Sequence, residues 1–249
     1  MNRLIITFSI AFGILAAPAM AFDISSMSKD ERASFRKEIR AYLLDNPEVI
    51  MEAVELLEQR SAANEASKDL ALVQENSEAI FKDGYSWVGG NPEGDVTMVE
   101  FVDYRCGYCR KAFDDVEKLL KADGNIRLIV KEFPILGEGS VLSSRYAISV
   151  KQKLGHEAYK LAHDALIKLK GDVNKMSLTR VSQSLGFDAD MLLSHMDTEA
   201  VSREIRLTQA LAQNLKISGT PTFVIEDKLL RGYLPLANMA ALVNGFRVK

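Results

Sequence analysis

The chain has 249 residues, enough for one elaborated domain with an appendage. Its apolar fraction of 47% and charged fraction of 26% are those of an ordinary globular protein. The net charge of −3, with no basic run, gives nucleic-acid binding no support.

The first residues read as a signal peptide. Arg3 supplies a positive start, Leu4 to Ala17 an apolar stretch short for a membrane span, and Ala19-Met20-Ala21 the small residues of a cleavage site. The expected cut follows Ala21, so the mature chain starts at Phe22 and is exported, with the periplasm as its expected location. The alternative is an uncleaved membrane anchor. No cysteine follows the apolar stretch, which argues against lipoprotein processing.

Residues 28–80 read as helical. Ser28 and Glu31 form a capping box, and Phe35, Ile39 and Tyr42 then share one helical face. Asn46-Pro47 restarts the helix, with Asn46 as cap and Pro47 at the first helical position. Val49, Ile50, Ala53, Val54, Leu56 and Leu57 follow, apolar over more than half the circumference, so another surface should bury them. Spacings of four and three make a short heptad-like seam, followed by an Ala-rich polar stalk from Gln59 to Ala79. The seam predicts an oligomerisation module through residues 28–75. The alternative is a helical pair folded back on its own chain.

A second domain is expected from residue 80 onward, so the segmentation is 1–21, 22–79 and 80–249. Gly89-Gly90-Asn91-Pro92 and Gly94-Asp95 read as turns. Val96 to Asp103 reads as a central strand, Lys111 to Lys121 as a helix closed by Asp123-Gly124-Asn125, and Ile126 to Phe133 as a second strand. Residues 138–214 hold no convincing strand. Helices fit at about 140–153, 156–169, 177–185, 188–195 and 198–214. Thr222 to Ile225 is a strand, turning through Glu226-Asp227-Lys228 into Leu229-Leu230-Arg231. A last helix runs from about Pro235 to Phe246. The order gives an α/β domain: a βαβ unit joined to a ββα unit, with the helical block between them.

Both cysteines lie in Cys106-Gly107-Tyr108-Cys109, between the first strand and its helix. A bridge this short removes little chain entropy, so redox chemistry explains it better than a structural staple. The helix N-terminus favours negative charge on Cys106, and Arg105 adds a positive neighbour. Cys109, one turn in, is expected to be the buried resolving thiol. A zinc site is the other use of such a pair. It needs two more ligands, and His156, His163 and His195 are scattered, so no metal is expected. Glu100 interrupts an apolar strand six positions before Cys106. It is expected to accept the Cys109 proton, with an outward, solvent-facing position as the alternative. Thr220-Pro221, at the start of a strand, is a candidate cis peptide whose backbone could pair with an extended substrate; the alternative is an ordinary trans proline.

Together, Glu100, the CGYC motif, the helical insertion and Thr220-Pro221 resemble the DsbA branch of the thioredoxin superfamily from about Ile80 to the C-terminus. The resemblance implies a thioredoxin fold with an inserted helical domain. It makes Cys106 the nucleophile, Cys109 the resolving thiol and Thr220-Pro221 the substrate-contacting loop, with Gly107 and Tyr108 beside it. Strongly oxidising members of the branch carry Pro-His where this chain has Gly-Tyr, and Tyr108 supplies no positive charge. The N-terminal helices look like those of ScsC-type proteins, in which such a segment joins protomers, activity leans toward disulfide isomerisation, and some members are linked to copper tolerance. The resemblance therefore implies a disulfide isomerase or reductase, trimeric by analogy and without a cofactor. It would act on unfolded or misdisulfided exported proteins and be kept reduced by a membrane partner. The alternatives are a dithiol oxidase, and a copper-binding or chaperone protein that uses the CxxC or the helices without turnover.

Overall fold

A computed structural model of the chain describes residues 24–248. The signal-peptide reading and its cut after Ala21 lie outside them. Among the described residues, no helix is long and apolar enough to cross a membrane. The chain divides after Arg60 into two compact units.

The first unit holds a short 3-10 turn (Ile24–Ser26), α1 (Lys29–Asp45) and the opening turns of α2 (Glu48–Glu75). The Ser28–Glu31 capping box forms: Ser28 Oγ accepts from the Glu31 N–H at 3.3 Å, and Glu31 accepts from the Ser28 N–H at 2.9 Å. Asn46 acts differently from the expected N-cap. Its side-chain amide donates to the Tyr42 carbonyl at 2.9 Å and so closes α1, and α2 begins one residue after Pro47. No residue of α1 is buried, and Phe35, Ile39, Tyr42, Ile50, Val54 and Leu57 are all exposed.

The second unit is built on a five-stranded sheet of order β1-β3-β2-β4-β5: β1 (Trp87–Gly90), β2 (Val96–Val102), β3 (Ile126–Glu132), β4 (Thr222–Ile225) and β5 (Lys228–Arg231). Only β2 and β3 are parallel, and α4 (Gly107–Asp123) makes the crossover between them. Both strands are nearly continuous apolar runs because helices cover both faces. Even-numbered residues (Met98, Val102, Leu128, Val130) face one core, which α4, α5 (Glu138–Leu154) and α6 (His156–Lys168) help to close. Odd-numbered residues (Val99, Phe101, Ile129) face a second core. It includes Val73 at the end of α2, Ile80 of α3 (Ser77–Phe81) and Leu211 of α9 (Glu199–Asn214).

Within 138–214 the described residues form α5, α6, α7 (Lys175–Leu185), α8 (Ala189–His195) and α9, all helical, as the apolar periodicity predicts. Asn174 and Ser177 cap α7 reciprocally, and Asp188 caps α8. After β5, α10 (Leu236–Arg247) packs beside α4, and Arg247 bridges Asp95 and Asp123.

Strand β1 falls where the sequence predicts a turn. It pairs antiparallel with β3, Trp87 opposite Val130. Its glycines are needed for close approach: a Cβ on Gly89 would meet the Trp87 ring at 1.9 Å, and Gly90 has φ +67°. The Trp87 ring stacks on Tyr159 with centroids 5.4 Å apart, and its Nε1–H donates to the His156 carbonyl at 2.8 Å.

Candidate active site

Cys106 is the N-cap residue of α4, and Cys109 lies in its first turn. The two cysteines are 3.8 Å apart. Their environments differ: Cys106 keeps 7% exposure, whereas Cys109 has none. A position that ends a buried strand and starts a helix leaves the first thiol at the rim and turns the second into the core. Gly107 has open space where a side chain would stand, so nothing at that position covers Cys106. The Arg105 guanidinium reaches the Gly171 carbonyl at 2.6 Å.

The thiol of Cys106 donates to the backbone carbonyl of Thr220 at 3.1 Å. The Thr220–Pro221 peptide is cis. Thus the Thr220–Pro221 loop that leads into β4 stands directly against the first cysteine, although Thr220 and Cys106 are 114 positions apart in sequence. Tyr108 is 64% exposed and stacks on Tyr233, centroids 6.5 Å apart, with Lys111 Nζ 4.5 Å from the Tyr233 ring. The Tyr233 hydroxyl donates to Asp115 at 2.6 Å.

Asp103 organises the loop before α4. Its fully buried carboxylate accepts from the Arg105 N–H at 2.8 Å, the Ser140 hydroxyl at 2.7 Å, and the N–H groups of Ile135 and Leu136 at 2.8 and 3.0 Å. One side chain therefore joins the cysteine loop, the turn after β3 and the start of α5. Its own N–H points at Cys109 Sγ, 3.5 Å away.

Glu100 faces inward from β2, with 4% exposure, so the solvent-facing alternative does not hold. Burial, with the charges of Glu117 and Glu132 adding to it, pushes its carboxyl up to about 8. Burial also pushes the Cys109 thiol upward, and the charge of Glu100 pushes in the same direction.

A second acid goes unnoticed in the sequence. Glu132 closes β3 and is buried. Its Oε1 accepts from Tyr104 at 2.7 Å and Tyr159 at 2.6 Å, and the Tyr104 oxygen lies 2.9 Å from His163 Nδ1. Burial drives Glu132 up to about 7 and His163 down to about 4. Of the other histidines, His195 Nε2 pairs with Gln152, and His156 opens α6. The only advance signal for Asp103 and Glu132 is an acid at the end of each apolar strand run.

Residues 97–244 match the DSBA-like thioredoxin domain, and residues 31–64 match the copper resistance protein ScsC N-terminal domain. A thioredoxin-like oxidoreductase from Silicibacter pomeroyi DSS-3 is 40% identical and covers 69% of this chain and 98% of its own, with a TM-score of 0.65. BcfH of Salmonella enterica Typhimurium is 26% identical over 86% of this chain and 95% of its own, TM-score 0.70. A curated relative, Na(+)/H(+) antiporter NhaA 3 of Salinispora tropica, is 26% identical over 156 residues; this chain spans only 24% of it. The match covers more than half of the chain and includes both cysteines, Glu100 and the Thr220–Pro221 loop; the chain belongs to the DSBA-like thioredoxin domain family and carries an ScsC-type N-terminal segment ahead of that domain.

Proposed function

We propose that this chain is an exported, periplasmic thiol–disulfide oxidoreductase that acts on protein disulfides, and that it works chiefly as an isomerase or reductase. One observation carries the reading: a rim cysteine at a helix N-cap, hydrogen-bonded to the Thr220 carbonyl, stands 3.8 Å from a fully buried partner thiol. The likeness to the Silicibacter protein, a thioredoxin-like oxidoreductase, supports the same class.

The geometry suits the following sequence. Cys106, at the N-cap of α4, attacks as its thiolate one sulfur of a substrate disulfide. A mixed disulfide forms and one substrate thiolate leaves. In isomerisation another substrate thiolate attacks the mixed disulfide, returning Cys106 as thiolate with no net oxidation. In reduction Cys109 gives its proton to the Glu100 carboxylate and attacks Cys106 Sγ. The substrate leaves as a dithiol, and Cys106–Cys109 is oxidised until a membrane reductant restores it. The Thr220 backbone is the edge on which an extended substrate would pair, with Gly107 and Tyr108 beside it.

The isomerase direction is supported by two features. Tyr108 occupies the position from which oxidising relatives supply a positive charge. The exposed apolar seam of α1 and α2, in the segment that matches the ScsC N-terminal domain, suits a homo-oligomer, which we take as a trimer. We accordingly read residues 1–21 as the signal peptide, 22–79 as the joining segment and 80–249 as the catalytic domain, with its helical insertion at 138–214.

The test is refolding of ribonuclease. The intact protein, supplied reduced, should recover activity from scrambled ribonuclease, and Cys106→Ala should abolish that recovery. A protein that oxidises reduced ribonuclease yet fails on the scrambled form is a dithiol oxidase, and the isomerase reading then falls.

A further inference from the structure

Glu100 and Glu132 lie on adjacent parallel strands. Glu100 pairs with Val130, and Val102 pairs with Glu132, so both acids are even-numbered and face the same core beneath α4. Two carboxylates sunk into one apolar layer cannot both carry a charge cheaply. Each group senses its surroundings: Glu132 repels charge on Glu100, and Glu100 repels charge on Cys109. The mechanism above uses Glu100 and leaves Glu132 without a task.

The hydroxyls around Glu132 Oε1 allow two hydrogen-bond arrangements, while the buried Oε2 has no partner among the described residues. In one, Glu132 is ionised; Tyr159 and Tyr104 both donate to it, and His163 Nδ1–H donates to the Tyr104 oxygen. In the other, Glu132 is protonated and donates to the Tyr104 oxygen, and Tyr104 donates to a bare His163 Nδ1. The distances of 2.7 and 2.9 Å on the two sides of the Tyr104 oxygen fit both. The two arrangements differ by one proton. When a proton is taken up at His163 Nε2, the Nδ1 proton passes to Tyr104 and the Tyr104 proton to Glu132. The imidazole stays neutral, the carboxylate becomes a carboxylic acid, and nothing is oxidised or reduced. A buried carboxylate held only for structure needs one such arrangement; this one is equipped for both.

We propose that Glu132 is a second proton-storing carboxylate of the redox site, a positioning residue that shares a proton with Glu100 and is switched through Tyr104 and His163. The proposal rests on the thiol-exchange reading of Cys106 and Cys109. While Glu132 is ionised, it keeps the proton on Glu100. Once Glu132 is protonated, Glu100 is free to ionise and to take the proton of Cys109. The pair titrates as a unit. The groups that face it are Cys109 and Glu117 from α4, Ser144 and Lys151 from α5, and Tyr159 and His163 from α6; Asp164, Lys160 and Lys168 act on His163.

The test is NMR titration of the intact reduced protein, following the carboxyl carbons of Glu100 and Glu132 and the imidazole nitrogens of His163. The His163 tautomer should change from Nε2–H to Nδ1–H between about pH 5 and pH 9, with the midpoint of Glu132. In Glu132→Gln, which keeps the side-chain volume, the tautomer should stay fixed and the Glu100 midpoint should fall by about one pH unit. Should Glu132→Gln fail to fold, Tyr104→Phe cuts the switch and leaves both ends in place; the His163 tautomer should then no longer follow Glu132. A wild-type tautomer fixed across the range, or an unmoved Glu100 midpoint in Glu132→Gln, overturns the proposal. These titrations need no turnover. A failure of Cys106→Ala to abolish ribonuclease rescue would therefore strike the functional reading and leave the coupling measurement intact.

Discussion

Asp103 Oδ1 accepts the Ser140 hydroxyl at 2.7 Å, which ties the strand end before the cysteines to the first turn of α5. Both residues are fully buried. Four donors converge on this one carboxylate, so no neutral isostere can satisfy them. Asp103→Asn places an amide N–H₂ where a donor now points, and should cost about 2 kcal/mol, or more if two donors are stranded. Chemical denaturation checks it. Because Ile135 and Leu136 hang on the same carboxylate, their amide hydrogens should exchange faster in the variant than those of β2.

Glu100 gives a pH signature with a definite sign. An unfolded Glu ionises near its ordinary value of 4.5, whereas in the fold this carboxyl holds its proton to about 8. Between these values the folded state binds more protons than the unfolded one. The contribution of Glu100 to stability therefore declines as pH rises from 4.5 to about 8 and is flat above. Glu100→Gln removes that decline. The variant should gain stability over the parent, on the order of a few kcal/mol by about pH 8, with little difference at about pH 4. Its catalysis should move the other way. Under the proposed role of Glu100 as proton acceptor for Cys109, release of substrate from a Cys106 mixed disulfide should slow by about 100-fold and lose its rise with pH. A denaturation series and a stopped-flow release assay check the two halves.

Much of this site can be read from the chain, and the exceptions have physical causes. β2 and β3 are legible as apolar runs of β-forming residues buried on both faces, and α4 by its period-3.6 pattern. The cysteine spacing marks the candidate site in the sequence. β1 is hidden because Gly89 and Gly90 read as turn residues, whereas a tryptophan ring lies over the strand and leaves no room for a Cβ. Glu132 is hidden because its meaning depends on Tyr104, Tyr159 and His163, which only the packing of α6 on β3 brings together. Asn46 shows the limit of capping rules: the same amide suits the end of one helix as well as the start of the next.

The two-unit division sharpens the truncation that tests oligomerisation. Residues 61–79 of the proposed joining segment pack with the second compact unit: Asp69 pairs with Arg231 at 2.6 Å, and Val73 is buried against the odd-numbered sheet face. Deleting residues 28–60 should therefore give a folded monomer by light scattering, with thiol exchange on small disulfides unchanged. Deleting residues 28–75 should also destabilise the remainder, by about 2 kcal/mol for the lost Val73 burial alone. An oligomer that persists after the shorter deletion would remove the α1–α2 seam as its cause.

Tyr233 is invisible in the sequence as a site residue, yet it backs the one large aromatic side chain exposed within the CxxC motif. Its ring stacks on Tyr108, receives Lys111 at 4.5 Å, and is fixed by the hydroxyl bond to Asp115. Removing it frees Tyr108 to sample other rotamers and takes away one side of an aromatic surface next to Cys106. An aromatic pair of this kind is worth about 1 kcal/mol. Tyr233→Ala should therefore raise KM for a peptide disulfide about fivefold while leaving kcat nearly as it was, since neither cysteine nor Glu100 is touched. Tyr233→Phe separates the two roles of the residue. It keeps the stack and loses only the bond to Asp115, so its KM should stay near that of the parent. The same substitutions should leave the reaction with a small disulfide such as oxidised glutathione almost unaffected, because a substrate that short does not extend across the tyrosine pair. Equal losses on the long and the short substrate would place Tyr233 in the support of the cysteine loop instead of in the binding of clients.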